Sequence, residues 1–326
     1  MTVYGDIAFC CVADERYFLG AVGLVNSLRL VGHGEPVLLL DCGLRPAQRE
    51  ALAAEATITP APADVPPWLL KAVIPLSRGP AVSVLVDSDI VVTRSLTPLL
   101  ERAAEGRIVA FRDRQQRFFE EWGELTGAGR AIRRPYVSSS LVIAAGEPGQ
   151  RTLDLLDKLR SRVDFELTLW RRNVRHYPFL YADQDLLNAI LATRIDPERV
   201  DSLEQRLAAT PPFRGLRVVD PRSLECSYRD GAEPYAVHQY LRKPWLEPTF
   251  DGVYSQLLRR LLTGDDVAIR VPDEWLPERL LANRAGRVER ARINARDFLR
   301  WHFGDRLPRP IAIRLEDRRH RREAWR

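Results

Sequence analysis

Lysine is scarce in this chain: Lys71, Lys158 and Lys243 are the only three among 49 basic side chains, the rest being arginine. A compact ammonium and a planar guanidinium are not interchangeable, so the choice of cation at those three positions matters. Cysteine is sparse as well. Cys10, Cys11, Cys42 and Cys226 have no metal-ligand spacing and lie mostly in apolar segments, which argues against a zinc site and marks them as reduced core thiols. No apolar run approaches the roughly 18 residues a membrane span requires. Asp6, Asp14, Glu15 and Arg16 break up the region where a signal peptide would need a basic segment and an uninterrupted apolar one, so the cytoplasm is the expected location. Neither G-x-G-x-x-G after the first apolar run nor G-x-x-x-x-G-K-[ST] occurs, which disfavours a nicotinamide enzyme or a P-loop nucleoside triphosphatase.

What is present suffices for a full core. The 326 residues are 45% apolar, enough for one large domain with an appendage or for two modest ones. The net charge is +5, and from Arg284 onward 14 arginines face 6 acids, so the basic character belongs to the tail. That tail reads as helical over residues 276–303. It is either a patch for an anionic membrane surface, with Trp301, Phe303 and Trp325 at the interface, or a solvated or oligomer-facing extension. It lacks a nucleic-acid recognition module.

Short apolar runs alternate with helical patterns along the first two thirds of the chain, as in an α/β sheet. Residues 7–13 read as a buried strand, 17–30 as an amphipathic helix, 36–41 as a second strand and 46–54 as a helix with proline in its first turn. A short strand is expected at 57–59 and a helical turn within 68–75. Further on, strands are expected at 108–111 and 137–145, and helices at 96–104, 150–159 and 182–192. The polar stretch 112–136, with Phe118, Phe119 and Trp122, is an acceptor-side lid or a surface helix whose aromatics fill a satellite core.

The run at 83–92, SVLVDSDIVV, concentrates the chemistry. Its β-branched residues suit a strand buried on both faces. In an extended backbone, side chains two apart point the same way, so Asp87 and Asp89 project together. Two carboxylates at the edge of an apolar core repel and are costly to desolvate unless a cation joins them. The tripeptide is also the composition of a turn or a helix-capping cluster ahead of residues 95–100. His238 at the end of another short strand, followed by Lys243-Pro244-Trp245, adds a nitrogen ligand and a phosphate-binding cation to the acidic pair. Ligands of open α/β sheets bind just beyond the carboxyl ends of the strands, where Asp14 and the Asp87/Asp89 pair fall.

The ordered set A-D-x-x-Y from Ala13 to Tyr17, Lys71, D-S-D from Asp87 to Asp89, Y-V-S-S-S from Tyr136 to Ser140, D-Q-D-x-L-N from Asp183 to Asn188 and H-x-x-x-x-K-P-W from His238 to Trp245 resembles the family 8 retaining glycosyltransferases. The likeness spans residues 6–245. It implies a GT-A fold, that is an α/β, Rossmann-like mixed sheet flanked by helices, as a catalytic domain over 1–247, with a mainly helical, Arg-rich extension over 248–326. It also implies a UDP-sugar donor, a manganese ion with magnesium as the substitute, and a glycan or lipid-linked acceptor. On the same footing, Ala13, Asp14 and Tyr17 hold the uridine, and Lys71 contacts the donor. Asp87 touches ribose and metal with Ser88 as spacer, and Asp89 and His238 complete the metal ligands. Lys243 meets the diphosphate, while Asp183 and Gln184 lie at the transferred sugar with Asp185 near them. Where the family carries an amide and a glycine, this chain has Ser138-Ser139-Ser140, and the interval from His238 to Lys243 is one residue short. The sugar therefore stays open, as does a catalytically degenerate nucleotide- or glycan-binding scaffold. A sugar-nucleotide nucleotidyltransferase is the third reading, without the glycine-rich basic loop it would need.

Overall fold

A computed structural model describes residues 7–63, 65–248, 252–282 and 286–303. The basic run at 318–322 and Trp325 lie outside the described residues, as do the side chains of Trp301 and Phe303.

The chain alternates as its pattern requires through β1 (Ile7–Ala13), α1 (Phe18–Leu30), β2 (Val37–Asp41), α2 (Pro46–Ala53) and β3 (Ala56–Pro60). A 3-10 turn at Pro67–Leu70 then leads to α3 (Val73–Arg78), β4 (Val82–Val86), β5 (Ile90–Val92), α4 (Thr97–Ala104), β6 (Ile108–Arg112) and α5 (Trp122–Leu125). The middle of the chain holds β7 (Val137–Ala145), α6 (Gly146–Leu159), α7 (Asp183–Arg194), β8 (Val200–Leu203) and β9 (Ala208–Ala209). It closes with β10 (Leu216–Asp220), β11 (Glu225–Tyr228), β12 (Ala236–His238), α8 (Val253–Thr263), α9 (Glu278–Leu281) and α10 (Arg287–Phe303).

Seven strands form one mixed sheet in the order β3-β2-β1-β4-β7-β6-β8. β7 runs antiparallel to both of its neighbours, and the other pairings are parallel. Helices cover both faces, which is why the strands read as continuous apolar runs. Along β1, Ile7, Phe9, Cys11 and Ala13 enter one core while Ala8 and Cys10 enter the other. The four cysteines are free thiols, and burial pushes those of Cys11 and Cys226 up to about 12.

Two expectations change. The stretch 17–30 was expected to be amphipathic, but α1 is buried from Phe18 to Leu28. Its outer side is covered by α8, whose Tyr254, Leu257, Leu258 and Leu261 belong to the same core. The contact is fixed by Asn26, whose amide donates to the Leu261 and Ile269 carbonyls at 2.9 Å each and accepts from the Ile269 amide at 2.7 Å. In the stretch 112–136 only α5 is helical among residues 113–136, and its aromatics serve as packing. Trp122 is buried, Phe118 and Phe119 lean on it, and its indole N–H donates to the Pro178 carbonyl at 3.1 Å.

A small second sheet, β5-β12-β9, stands beside the large one. β12 pairs antiparallel with β5, setting His238 opposite Ile90. That register brings His238 to the turn that follows β4.

Candidate active site

β4 stops at Val86, and Asp87, Ser88 and Asp89 form a tight turn before β5. The Ile90 amide donates to the Asp87 carbonyl at 3.1 Å, and the Asp87 amide donates to the Ser140 carbonyl at 2.8 Å. The expectation that the two acids share a side because the backbone is extended is therefore corrected. They converge because the turn folds them toward His238, so the stretch is at once a turn and a paired-acid site.

Ligand atoms from Asp87, Asp89 and His238 all lie within 4.8 Å of one another. His238 Nε2 is 3.2 Å from Asp89 Oδ1 and 3.9 Å from Asp87 Oδ2. Both lysines outside the surface helix α6 reach this cluster. Lys71, at the end of the 3-10 turn, places Nζ 2.6 Å from Asp87 Oδ1 and 2.8 Å from Asp183 Oδ2. Its ammonium also donates to the Ser139 carbonyl at 3.2 Å. Lys243 Nζ donates to Asp89 Oδ2 and to the Gln239 carbonyl. The result is an arc in which acids alternate with nitrogen groups: Asp183, Lys71, Asp87, His238, Asp89, Lys243.

The electrostatics follow from that order. Burial works to raise the Asp89 carboxyl, but His238 and Lys243 outweigh it and hold the group well below the usual carboxylate range. Asp87 goes the other way: burial pushes it up, and the Asp89 and Asp183 carboxylates add to the rise against Lys71 and His238. Burial would lower the Lys71 ammonium, yet Asp183 and Asp87 raise it above its ordinary value, so it stays charged.

Asp14 and Tyr17 stand just beyond the carboxyl end of β1. Asp14 Oδ1 accepts from the Arg16 and Tyr17 amides at 2.9 and 3.0 Å, an Asx-type turn that orients the start of α1. Lys243 Nζ sits 5.6 Å from the Tyr17 ring centroid. Trp245 meets the same ring edge-to-face, with centroids 6.2 Å apart, and its indole N–H donates to the Arg16 carbonyl at 2.6 Å. Ala13 is buried and pairs with Asp41 of β2.

The triple serine lies on β7 beside the acids. Ser138 and Ser140 pair through their hydroxyls at 2.9 Å, and the Ser139 amide donates to Gln184 Oε1 at 3.4 Å. Asp183 opens α7, where the helix dipole also favours an acid. The residue before it, Ala182, takes φ 42 and ψ −111, a backbone region suited to glycine, so the entry to α7 is strained next to the site.

Asp185 is not brought to the cluster. Its side chain is fully buried, Oδ1 accepts from the Tyr136 hydroxyl at 2.6 Å and Arg117 Nε at 3.0 Å, and Oδ2 accepts from the Tyr181 amide at 2.8 Å. It anchors the helix start from behind Asp183.

Several supporting residues escape sequence reasoning. A Cβ on Gly20 would stand 2.5 Å from the Ser88 carbonyl oxygen and 2.8 Å from Trp245 Cη2, so only glycine lets α1 meet the acidic turn. A glycine within a helical pattern is the one local signal of that approach. Arg279 of α9 donates to the Pro244 carbonyl, bracing the turn that carries Lys243, and nothing near it in sequence marks that role. Asn188 accepts from the Val137 amide at 2.8 Å and donates to the Val137 and Gln184 carbonyls at 2.7 and 2.8 Å, tying α7 to β7.

No family model matches the chain, and no curated protein matches it. Solved structures do. An active-site mutant of LgtC aligns with a TM-score of 0.53 at 19% identity, covering 83% of this chain and 98% of that one. The bifunctional glycosyltransferase WbbM, solved in its apo form, aligns with a TM-score of 0.50 at 14% identity, covering 79% of this chain and 50% of that one. At such identities the likeness is one of fold, and the chain has the GT-A, Rossmann-like fold of these glycosyltransferases.

Proposed function

We propose that this chain is a metal-dependent retaining glycosyltransferase of the family 8 type, moving a hexose from a UDP-sugar to a glycan or lipid-linked acceptor. The observation that carries the reading is the convergence of Asp87, Asp89 and His238 with Lys71 and Lys243 at the strand ends of a GT-A fold. Asp87, Asp89 and His238 would hold a divalent cation, manganese first and magnesium as the substitute. Two carboxylates and an imidazole form a suitable donor set, and His238 Nε2 faces Asp89 Oδ1 at 3.2 Å and Asp87 Oδ2 at 3.9 Å. When bound, the cation supplies Lewis-acid stabilisation of the leaving diphosphate.

The chain's own groups do the rest. Lys243 offsets the negative charge that develops on the departing diphosphate. Ala13, Asp14 and Tyr17 hold the uridine, and Lys71, Ser138 and Ser139 border the donor with Ser88 turning between the metal acids. Asp183 and the Gln184 carbonyl face the transferred sugar as oxocarbenium character builds, while Asp185 fixes their helix. Attack on the same face retains the configuration without an enzyme nucleophile.

In this proposal residues 1–247 carry the donor site, and residues 248–326 brace it and present a basic surface to an anionic membrane on its cytoplasmic face. Among the described residues, no helix is long and apolar enough to cross a membrane.

The test is manganese-dependent hydrolysis or transfer across a panel of UDP-sugars. Asp89→Asn and His238→Ala are expected to lower turnover at least about a hundredfold with circular dichroism unchanged. Wild-type turnover in both variants overturns the proposal, and tight UDP binding by an inactive wild-type protein would assign the scaffold role instead.

A further inference from the structure

Behind α7 lies a second cavity of about 240 Å³, and its walls are cationic. Arg112, Arg117 and Arg134 line it together with Phe118, Trp122 and Tyr136, and no acidic side chain is among its lining residues. It is separate from the arc of acids. Asp183 meets Lys71 in that arc, whereas Asp185, one half-turn on, meets Arg117 and Tyr136 at the cavity wall.

The three guanidinium groups differ in how far they are neutralised. Arg117 is committed: it pairs with Asp185 and donates through Nη2 to the Tyr177 carbonyl at 2.9 Å. Arg112, at the end of β6, has no ion-pair partner among the described residues. Arg134 donates through Nη2 to the Ile195 carbonyl, while its buried Nε and Nη1 find no partner. Burial pulls the Arg134 guanidinium below its ordinary value, with Asp196 acting against that effect. Buried N–H groups without a protein acceptor are rare because each forfeits hydration, so Nε and Nη1 of Arg134 are available to an incoming acceptor. A guanidinium fork matches a carboxylate or a phosphate in two parallel hydrogen bonds, which a neutral hydroxyl cannot reproduce. The half-buried Phe118 gives the wall an apolar side, with Trp122 closed off behind it. The cavity is smaller than the roughly 300 Å³ at which drug-sized sites begin, so the ligand is small.

We propose that this cavity binds a compact ring bearing one oxyanion, a sugar carboxylate or a sugar phosphate, with Arg112 and Arg134 taking the anion and Phe118 against the ring. The site goes beyond the donor reading and does not depend on it. Its occupant belongs to the acidic sugars, with the carboxylate and phosphate forms sharing the same recognition chemistry.

Isothermal titration of the full chain, without metal or nucleotide, tests this with glucuronate, glucose 6-phosphate, inorganic phosphate and neutral glucose. Saturable binding of glucuronate or glucose 6-phosphate is expected, with glucose silent, and the stronger of the two names the source of the oxyanion. Arg112→Ala, at an exposed strand end, is expected to weaken that binding by about tenfold or more. Arg134→Lys keeps the charge, loses the fork and is expected to weaken it as well. Saturation by inorganic phosphate alone overturns the sugar assignment. Absence of any saturable anion binding, equal binding of glucose, or undiminished binding in both variants overturns the site. Thermal melts with UDP and manganese read the donor cluster separately, so failure here leaves that reading untouched.

Discussion

Lys71 is the cation that joins Asp87 to Asp183 in the acidic arc, and its removal has a calculable cost. Its ammonium stands 2.6 Å from Asp87 and 2.8 Å from Asp183. At an effective dielectric near 20, each contact is worth about 6 kcal/mol gross. Desolvation of all three groups cancels much of that, and breaking a buried pair costs about 3 to 5 kcal/mol net. The Lys71 side chain is 16% exposed and that of Asp87 25%, so water recovers a share and about 2 to 3 kcal/mol remains. Lys71→Met keeps the length of the stem and removes the charge. In a chain this long the loss corresponds to a fall of about 5 °C in Tm. The sharper expectation concerns manganese. With Lys71 gone, Asp87 and Asp183 have lost their cation, so under the proposed metal site added Mn²⁺ should raise the Tm of the variant by more than it raises that of the wild type. Differential scanning fluorimetry with and without Mn²⁺ reads both quantities. If Lys71→Met melts within about a degree of wild type without metal and responds no more strongly to Mn²⁺, the charge arc does not have the energetic role assigned to it.

The remaining expectations concern neighbouring parts. Gly20→Ala must push the Ser88 carbonyl or Trp245 aside, so UDP–Mn²⁺ affinity should fall by about tenfold with helix content unchanged by circular dichroism; unaltered affinity would show that α1 can shift without moving the acids. Asn188→Ala strands the Val137 amide and two carbonyls in the core and should cost about 2 to 3 kcal/mol in urea unfolding. For Asp41, burial would raise the carboxyl, but the Leu44 and Gly43 amides and Arg49 hold it below its ordinary value. A depressed folded-state value stabilises above the unfolded value near 3.9 and is lost as pH falls through the folded one. Asp41→Asn should therefore flatten the acid limb of the stability curve, and an unchanged limb would count against that hydrogen-bond set.

How far the sequence could be read depended on the range of the interactions. Strands such as β1, β4 and β7 are legible because helices on both faces bury them and keep them mostly apolar, a signal carried within five to nine positions. Asp87, Asp89, His238 and Lys243 were legible as residue types in order. Their convergence was not, because the reasoning from an extended strand gave the right neighbours for the wrong backbone. The amphipathic expectation for α1 failed since α8, more than 200 residues later, covers its outer side. Lys71 could be singled out by its rarity, but its bridge between Asp87 and Asp183 joins three distant segments. The Arg117, Tyr136 and Asp185 network left no local trace at all.

The hydrogen bond from Arg279 to the Pro244 carbonyl sets a schedule as well as a shape. During synthesis the sheet that carries Asp87 leaves the ribosome long before the residues that brace Lys243. Chains fold from the N-terminus as they emerge, so a nascent protein acquires its acids first and the brace on its second lysine only when α9 is complete. Until that moment Lys71 serves Asp87 and Asp183, while Lys243, the cation of Asp89, stands without its brace. The order of translation thus keeps the charge cluster unfinished on the polysome until the chain is almost whole.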